Sequence, residues 1–366
     1  MKRITILLVF VSLLFTSCMK NHAPVPGNVT TDTNQGVFVV NEGNFTYGNS
    51  SLTYYDPGDD SVYNNVFFNT NGLPLGDVAV SMTIQDSLGY VVVNNSGKIY
   101  VINVNNFQYV GKITGLVSPR RIYFVSATKA YVTDLYSKAL FVVNPETDSV
   151  TGQISLDNHN TQFSQHNSEQ IVFYGNDAFV NSWSYDDKVM VIDTHTDRVV
   201  DSITVAKQPN SMVLDKNNKL WVLSDGGWSG SPYGQAMPAL TRINPVTRQV
   251  EKVFQFNDMD ASPDHLSLNA AGDSLFYLYR SYSAGSLIDA GVYGMSVSAN
   301  SLPTLPIVPE NSHTFYGLGI DPHNSRIYVT DALDYQQNGT VLIYSPSGVL
   351  SDSITAGIIP GSFCFK

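Results

Sequence analysis

The chain has 366 residues, 43% of them hydrophobic, 11% aromatic and only 14% charged, which is ample for a sizeable core and favours one large β domain. Its net charge of −11 would repel a polyanion and argues against nucleic-acid binding. The two cysteines, Cys18 and Cys364, come without the Cys/His spacing of a metal motif, so neither a disulfide framework nor a structural zinc site is expected.

Residues 1–17 read as a secretory signal: Lys2 and Arg3 form a charged start, and Ile4 to Phe15 an apolar core too short to span a membrane as a mature helix. The leader ends Leu14-Phe15-Thr16-Ser17-Cys18. Small residues directly before a cysteine resemble a bacterial lipobox, although Phe15 stands where Leu is usual. This predicts cleavage and diacylation at Cys18, hence a membrane attachment through lipid. The alternative is an ordinary signal peptide with an incidental cysteine. Residues 18–35, rich in Pro, Asn, Thr and Gly without hydrophobic periodicity, read as a flexible tether.

From residue 36 onward the pattern is β. GVFVVNEGN (Gly36 to Asn44), SLTYYDP (Ser51 to Pro57) and SVYNNVF (Ser61 to Phe67) read as the second, third and fourth strands of a unit whose first strand is missing. The complete unit is clearest at Ser168 to Val205, where Gln170 to Tyr174, Ala178 to Asn181, Lys188 to Ile192 and Arg198 to Val205 carry strand character between polar turns. First strands of such meanders begin at about Asp77, Pro119, Glu169, Pro209, Pro263, Phe315 and Pro360. Seven starts over residues 36–366 give about 47 residues per unit, the period of a propeller blade. The last of them, PGSFCF (Pro360 to Phe365), supplies the strand missing from the first unit. An all-β, seven-bladed β-propeller of four-stranded antiparallel blades is therefore predicted, its ring closed by the C-terminal strand, with Cys364 a core thiol of an inner strand.

The two faces of such a ring differ in character. The turns between first and second strands, and between third and fourth, are short and polar; His195 and His323 fall there as solvated loop residues. Loops between second and third strands, and the connections between blades, are long and aromatic. Phe45, Tyr47, Phe163, Trp183, Tyr185, Trp228, Tyr233, Tyr282 and Tyr335 would rim one mouth of the ring, which makes that face the predicted ligand-binding face. The bland alternative is that these rings pack within their own loops.

Carboxylates on the same face (Glu42, Asp134, Asp186, Asp187, Asp225, Asp289, Asp331, Asp334) and histidines (His159, His166, His313) show no metal-ligand spacing and read as loop polarity. No nucleophile elbow, metalloprotease helix or phosphate-binding glycine loop is present, and GGWSG (Gly226 to Gly230) opens no helix. A hydrolase with an axial metal would need acidic or histidine side chains converging on the axis. The strand starts carrying Arg120, Arg121, Glu169, Asn210 and His265 form too mixed a set for that. The reading is non-catalytic, with no cofactor and no metal.

The segments KVMVIDTHTDRVVDSITV and QPNSMVLDKNNKLWVLSDGG resemble the YncE-like seven-bladed propellers. Within that group VFVVNEGNFTYGNSSLTYYDP (Val37 to Pro57) is similar to the opening of the DUF5074 lipoproteins of Bacteroidota. One branch of that family captures vitamin B12 and related corrinoids at the cell surface and hands them to a TonB-dependent outer-membrane transporter. The resemblance therefore implies a lipid-anchored outer-membrane protein that binds a bulky solute, with a corrinoid as leading ligand and such a transporter as partner. A mouth of aromatic and amide side chains suits a large amphipathic ligand. Met-Lys-Asn-His after Cys18 lacks the acidic cluster that often accompanies surface export, so the periplasmic leaflet stays open as an alternative to the cell surface. The competing reading is a platform for a protein or cell-surface glycan; a lactonase-like hydrolase ranks below both.

Overall fold

The computed structural model describes residues 35–156, 167–283 and 286–366; the leader 1–17, Cys18 and nearly all of the tether lie outside these. Strands dominate because β-branched and aromatic residues alternate with polar ones between turn-forming Asn, Asp and Gly. They make seven four-stranded antiparallel sheets. Blade 1 joins the chain ends, with Pro360–Phe365 innermost, then Val37–Asn41, Ser51–Asp56 and Ser61–Tyr63. Val37 faces Phe365 and Phe38 faces Cys364 across that seam, so the predicted closure is present and Val37–Asn41 keeps no free edge.

Blades 2 to 7 follow in chain order, with inner strands Ala79–Gln85, Pro119–Ser126, Asn167–Tyr174, Pro209–Leu214, Asp264–Leu268 and Phe315–Ile320. The second and third strands of the blades are largely buried, the inner strands, which line the axis, only in part, and the side chains between adjacent sheets form the core. Polar residues tie one blade to the next: Ser362 Oγ donates to the Val80 carbonyl at 2.9 Å, Ser81 Oγ to Arg120 at 2.6 Å, and Asn181 Nδ2 to Pro209 at 2.7 Å. At the seam a Cβ on Gly317 would stand 2.6 Å from the Gly361 carbonyl, so only glycine permits that approach of blades 7 and 1.

Two expectations are corrected. The strand expected over Ser61 to Phe67 stops at Tyr63, and a six-residue helix, Val66–Asn71, follows. Asn65 adopts a left-handed conformation (φ 55°) that breaks the strand, and the turn it starts buries Val66 and Phe67 fully. The segment Arg280 to Gly291, expected as a loop, is largely an extended hairpin: Ser274–Ser283 pairs with Ser286–Ser296, while the outer strand of blade 6 shrinks to Val308–Pro309. Cross-strand pairing continues because Tyr and Ser on one arm and Leu, Ile and Ala on the other tolerate the pleat.

Candidate functional site

Every inner strand is irregular at the same place. Its register against the second strand shifts between Pro119 and Ile122, Ser168 and Ile171, Pro209 and Ser211, Asp264 and Ser267, and Phe315 and Leu318. Blades 1 and 2 do the same at Gly361 and Val80. Regular strands send successive side chains to opposite faces, and a bulge breaks that alternation and re-aims what it carries. The residues so released, among them Arg120, Arg121, Glu169, Gln170, Asn210, His265 and Tyr316, all line one cavity of about 340 Å³ on the ring axis. Glu42, Trp183, Asp225 and Arg280, at the ends of second strands, complete its wall and place it on the face from which the long loops emerge.

Ion pairs and hydrogen bonds to carboxylates knit the wall together. Arg120 grips Glu169 with two bonds, 2.6 and 3.2 Å, and the Trp183 ring lies 5.8 Å from the Arg120 guanidinium. Arg280 Nε donates to Glu310 at 3.2 Å, and the Tyr316 hydroxyl donates to Glu42 at 3.0 Å. Burial raises the Glu42 pKa against that bond. Burial also pushes Asp225 up to about 6, against bonds from the Gly227 N–H and Asn210 Nδ2. Burial opposes charge on His265, yet the adjacent Asp264, 2.9 Å from Nδ1, lifts its pKa above the ordinary histidine value. His265 is also held at φ 57°, a costly conformation for a residue with a Cβ.

Of the predicted rim residues that are described, Trp183 alone reaches the axial cavity. Tyr185, Trp228 and Tyr233 meet one another, with ring centroids 5.3 and 4.4 Å from Tyr185, so two neighbouring blades share one aromatic cluster. Tyr335 packs edge-on against Tyr316 at 5.8 Å. Phe45 and Tyr47 stand apart from these, 67% and 78% exposed, and Tyr282 lies on the extended hairpin of blade 6. Tyr136, in a loop, and Leu287 and Ile288, on the blade 6 hairpin, are further exposed apolar side chains on this face. Phe163, His159 and His166 lie outside the described residues.

The other named polar residues serve the backbone. Asp134 accepts from the N–H groups of Val117, Ser118, Tyr136 and Ser137, and Asp331 from those of Thr314 and Leu333. His313 Nδ1 lies 2.6 Å from Asp331, Asp186 caps Asp187, Asp334 caps Gln336, and Asp289 accepts from Tyr293. Among the described residues no group of three or more potential ligands could hold a metal ion. The residues set aside as a mixed set at strand starts are those the fold gathers. A sequence signal existed in four of the seven inner strands: paired polar residues at or just after the strand start, Arg120-Arg121, Glu169-Gln170, Asn210-Ser211 and Asp264-His265, where a strand in the middle of a ring should be apolar.

Fold and site together define a seven-bladed propeller with a polar axial cavity under aromatic loops. The sequence matches the family described as "Domain of unknown function (DUF5074)" over residues 35–354, and the chain belongs to that family. No functionally curated protein matches it. Among solved structures it is similar to a quinonprotein alcohol dehydrogenase-like protein from Bacteroides thetaiotaomicron VPI-5482, at TM-score 0.65 and 13% identity, covering 91% of this chain and 78% of that one. A protein from Lactobacillus plantarum gives TM-score 0.66 at 12% identity, with 91% and 99% covered. Kuenenia stuttgartiensis hydrazine synthase gives 0.63 at 15%, with 78% and 88% covered. At these identities the likeness concerns the fold, and no reaction carries over.

Proposed function

We propose that this chain is a non-catalytic, lipid-anchored protein of the outer membrane that holds a bulky solute on its loop-bearing face, a corrinoid first among candidates, and passes it to a TonB-dependent transporter. The observation that carries the reading is the polar axial cavity of about 340 Å³ opening beneath exposed aromatic loops. A ligand wider than the cavity would rest on Phe45, Tyr47 and the Tyr185–Trp228–Tyr233 cluster and send one polar arm inward. Aromatic rings supply contact area at low entropic cost, and the amides and guanidiniums below fix orientation.

Titration calorimetry with cyanocobalamin tests this: one-to-one binding is expected. The triple change Trp183→Ala, Tyr185→Ala and Trp228→Ala should weaken it by about tenfold or more. Full affinity in that variant would mean the wrong face has been chosen. No heat and no spectral change with the parent chain would remove the corrinoid.

A further inference from the structure

The hydrogen-bonding groups of the axial cavity are unequally used. Most carboxylates in or behind its wall already have donors: Glu169 from Arg120, Glu310 from Arg280, Glu42 from Tyr316, and Asp225 from Gly227 and Asn210; Asp264 lies 2.9 Å from His265 Nδ1 without a hydrogen bond between them. The donors of the cations are not all used in return. Arg121 makes no side-chain hydrogen bond among the described residues; its Nε lies 3.9 Å from Glu169, beyond bonding reach, and Glu169 is already committed to Arg120. Arg280 uses Nε alone, and its terminal nitrogens have no partner among the described residues, with Nη2 buried. Both guanidiniums also lie close enough to His265 to oppose its protonation.

Guanidinium N–H groups left over in a partly desolvated site are costly unless an acceptor meets them, even though each charge has a carboxylate nearby. They come from blades 3 and 6, on opposite sides of the axis, so one group between them could accept from both. We infer that the axial cavity is a clamp for an oxyanion borne by the ligand, a carboxylate or a phosphate, with Arg121 and Arg280 as its donors. Guanidiniums suit this role because their planar N–H pairs match two oxygens at once. The inference rests on the axial cavity being the solute site and names the chemistry of the inward arm.

The test is titration of the purified full chain with inorganic phosphate and, separately, with succinate at constant ionic strength. Tryptophan fluorescence, to which Trp183 in the cavity wall contributes, and thermal unfolding report binding. Saturable binding of at least one anion is expected, and which one responds separates phosphate from carboxylate. Arg121→Gln should weaken it by about tenfold or more, the loss of a charge-assisted bond. That variant breaks no side-chain hydrogen bond among the described residues, so without anion it should be about as stable as the parent. Two results overturn the clamp: neither anion binds saturably, or Arg121→Gln binds like the parent. Cyanocobalamin separates this from the reading above. Binding of cyanocobalamin without either anion would keep the solute site and remove the clamp, whereas anion binding without cyanocobalamin would keep the clamp and remove the corrinoid.

Discussion

Asp225 closes the second strand of blade 5, with its carboxylate drawn into the cavity wall and its pKa pushed up to about 6 by burial. An unfolded aspartate titrates near 3.9, so between that value and about 6 the native form holds a proton that the unfolded chain has released. Stability from this group is therefore present at low pH and is lost as pH rises to about 6 and beyond. Asp225→Asn keeps the neutral form permanently. It should match the parent near pH 4 and exceed it by about 1 to 2 kcal/mol at pH 8, measured by denaturant unfolding at both pH values. Equal stability at pH 8 would show that the carboxylate is not strained by burial. Cys364 illustrates the opposite case, a titratable group without a task. Burial pushes its thiol up to about 12, and it packs against the cluster containing Phe38 and Tyr54. Alkylation of Cys364 at pH 8, followed by mass spectrometry, should be slow in the native protein and rapid in denaturant.

At the level of elements, the bulge at the start of each inner strand does two things: it frees side chains for the axis and leaves backbone groups that must be satisfied. Asn181, wholly buried, meets that need in blade 4. Its Oδ1 accepts the Gln170 N–H at 2.6 Å, and its Nδ2 donates to the Pro209 carbonyl of blade 5 at 2.7 Å. Asn94 reaches the Pro119 carbonyl of blade 3 in the same way at 3.0 Å. Asn181→Ala would strand a bulge N–H and a carbonyl in the interior, costing about 2 to 4 kcal/mol by chemical denaturation. A cost under about 0.5 kcal/mol would mean that water takes over both bonds. The short helix of blade 1 shows the limit of reading strands by composition: Val66 and Phe67 favour β, yet the left-handed Asn65 turns them into the core instead.

The ring as a whole depends on its seam. Removing residues 360–366 would expose the edge of Val37–Asn41 and take Phe363 and Phe365 out of the contact between blades 1 and 7, where both pack near Tyr328. The truncated chain is expected to unfold at markedly lower temperature and to self-associate by edge pairing, as read by calorimetry and size-exclusion chromatography. A monomer of parental stability would mean that the seam strand is dispensable. Loop-face variants such as Trp228→Ala should leave the unfolding temperature nearly unchanged, since that ring is 48% exposed and touches loop partners rather than the blade cores.

Local information was enough for the architecture. Alternation along the strands and the Asn, Asp, Gly and Pro of the turns determined seven blades, because each depends on neighbours within one meander, and the count of strands, with one missing from the first unit and one left over at the end, implied the closure through Pro360–Phe365. The face carrying the long aromatic loops was legible for the same reason. The cavity was not. Arg120 and Glu169 are 49 residues apart, and Glu42 and Tyr316 are 274 apart, and neither pair shares a blade. Only closure of the ring brings the bulges of all seven inner strands to one axis, where burial then shifts Asp225 and Glu42 and leaves the Arg121 side chain without a hydrogen bond among the described residues. The sequence by itself determined which strands form and in what order; the tertiary structure decided which of their charged side chains meet, because that depends on distances across the axis and not along the chain.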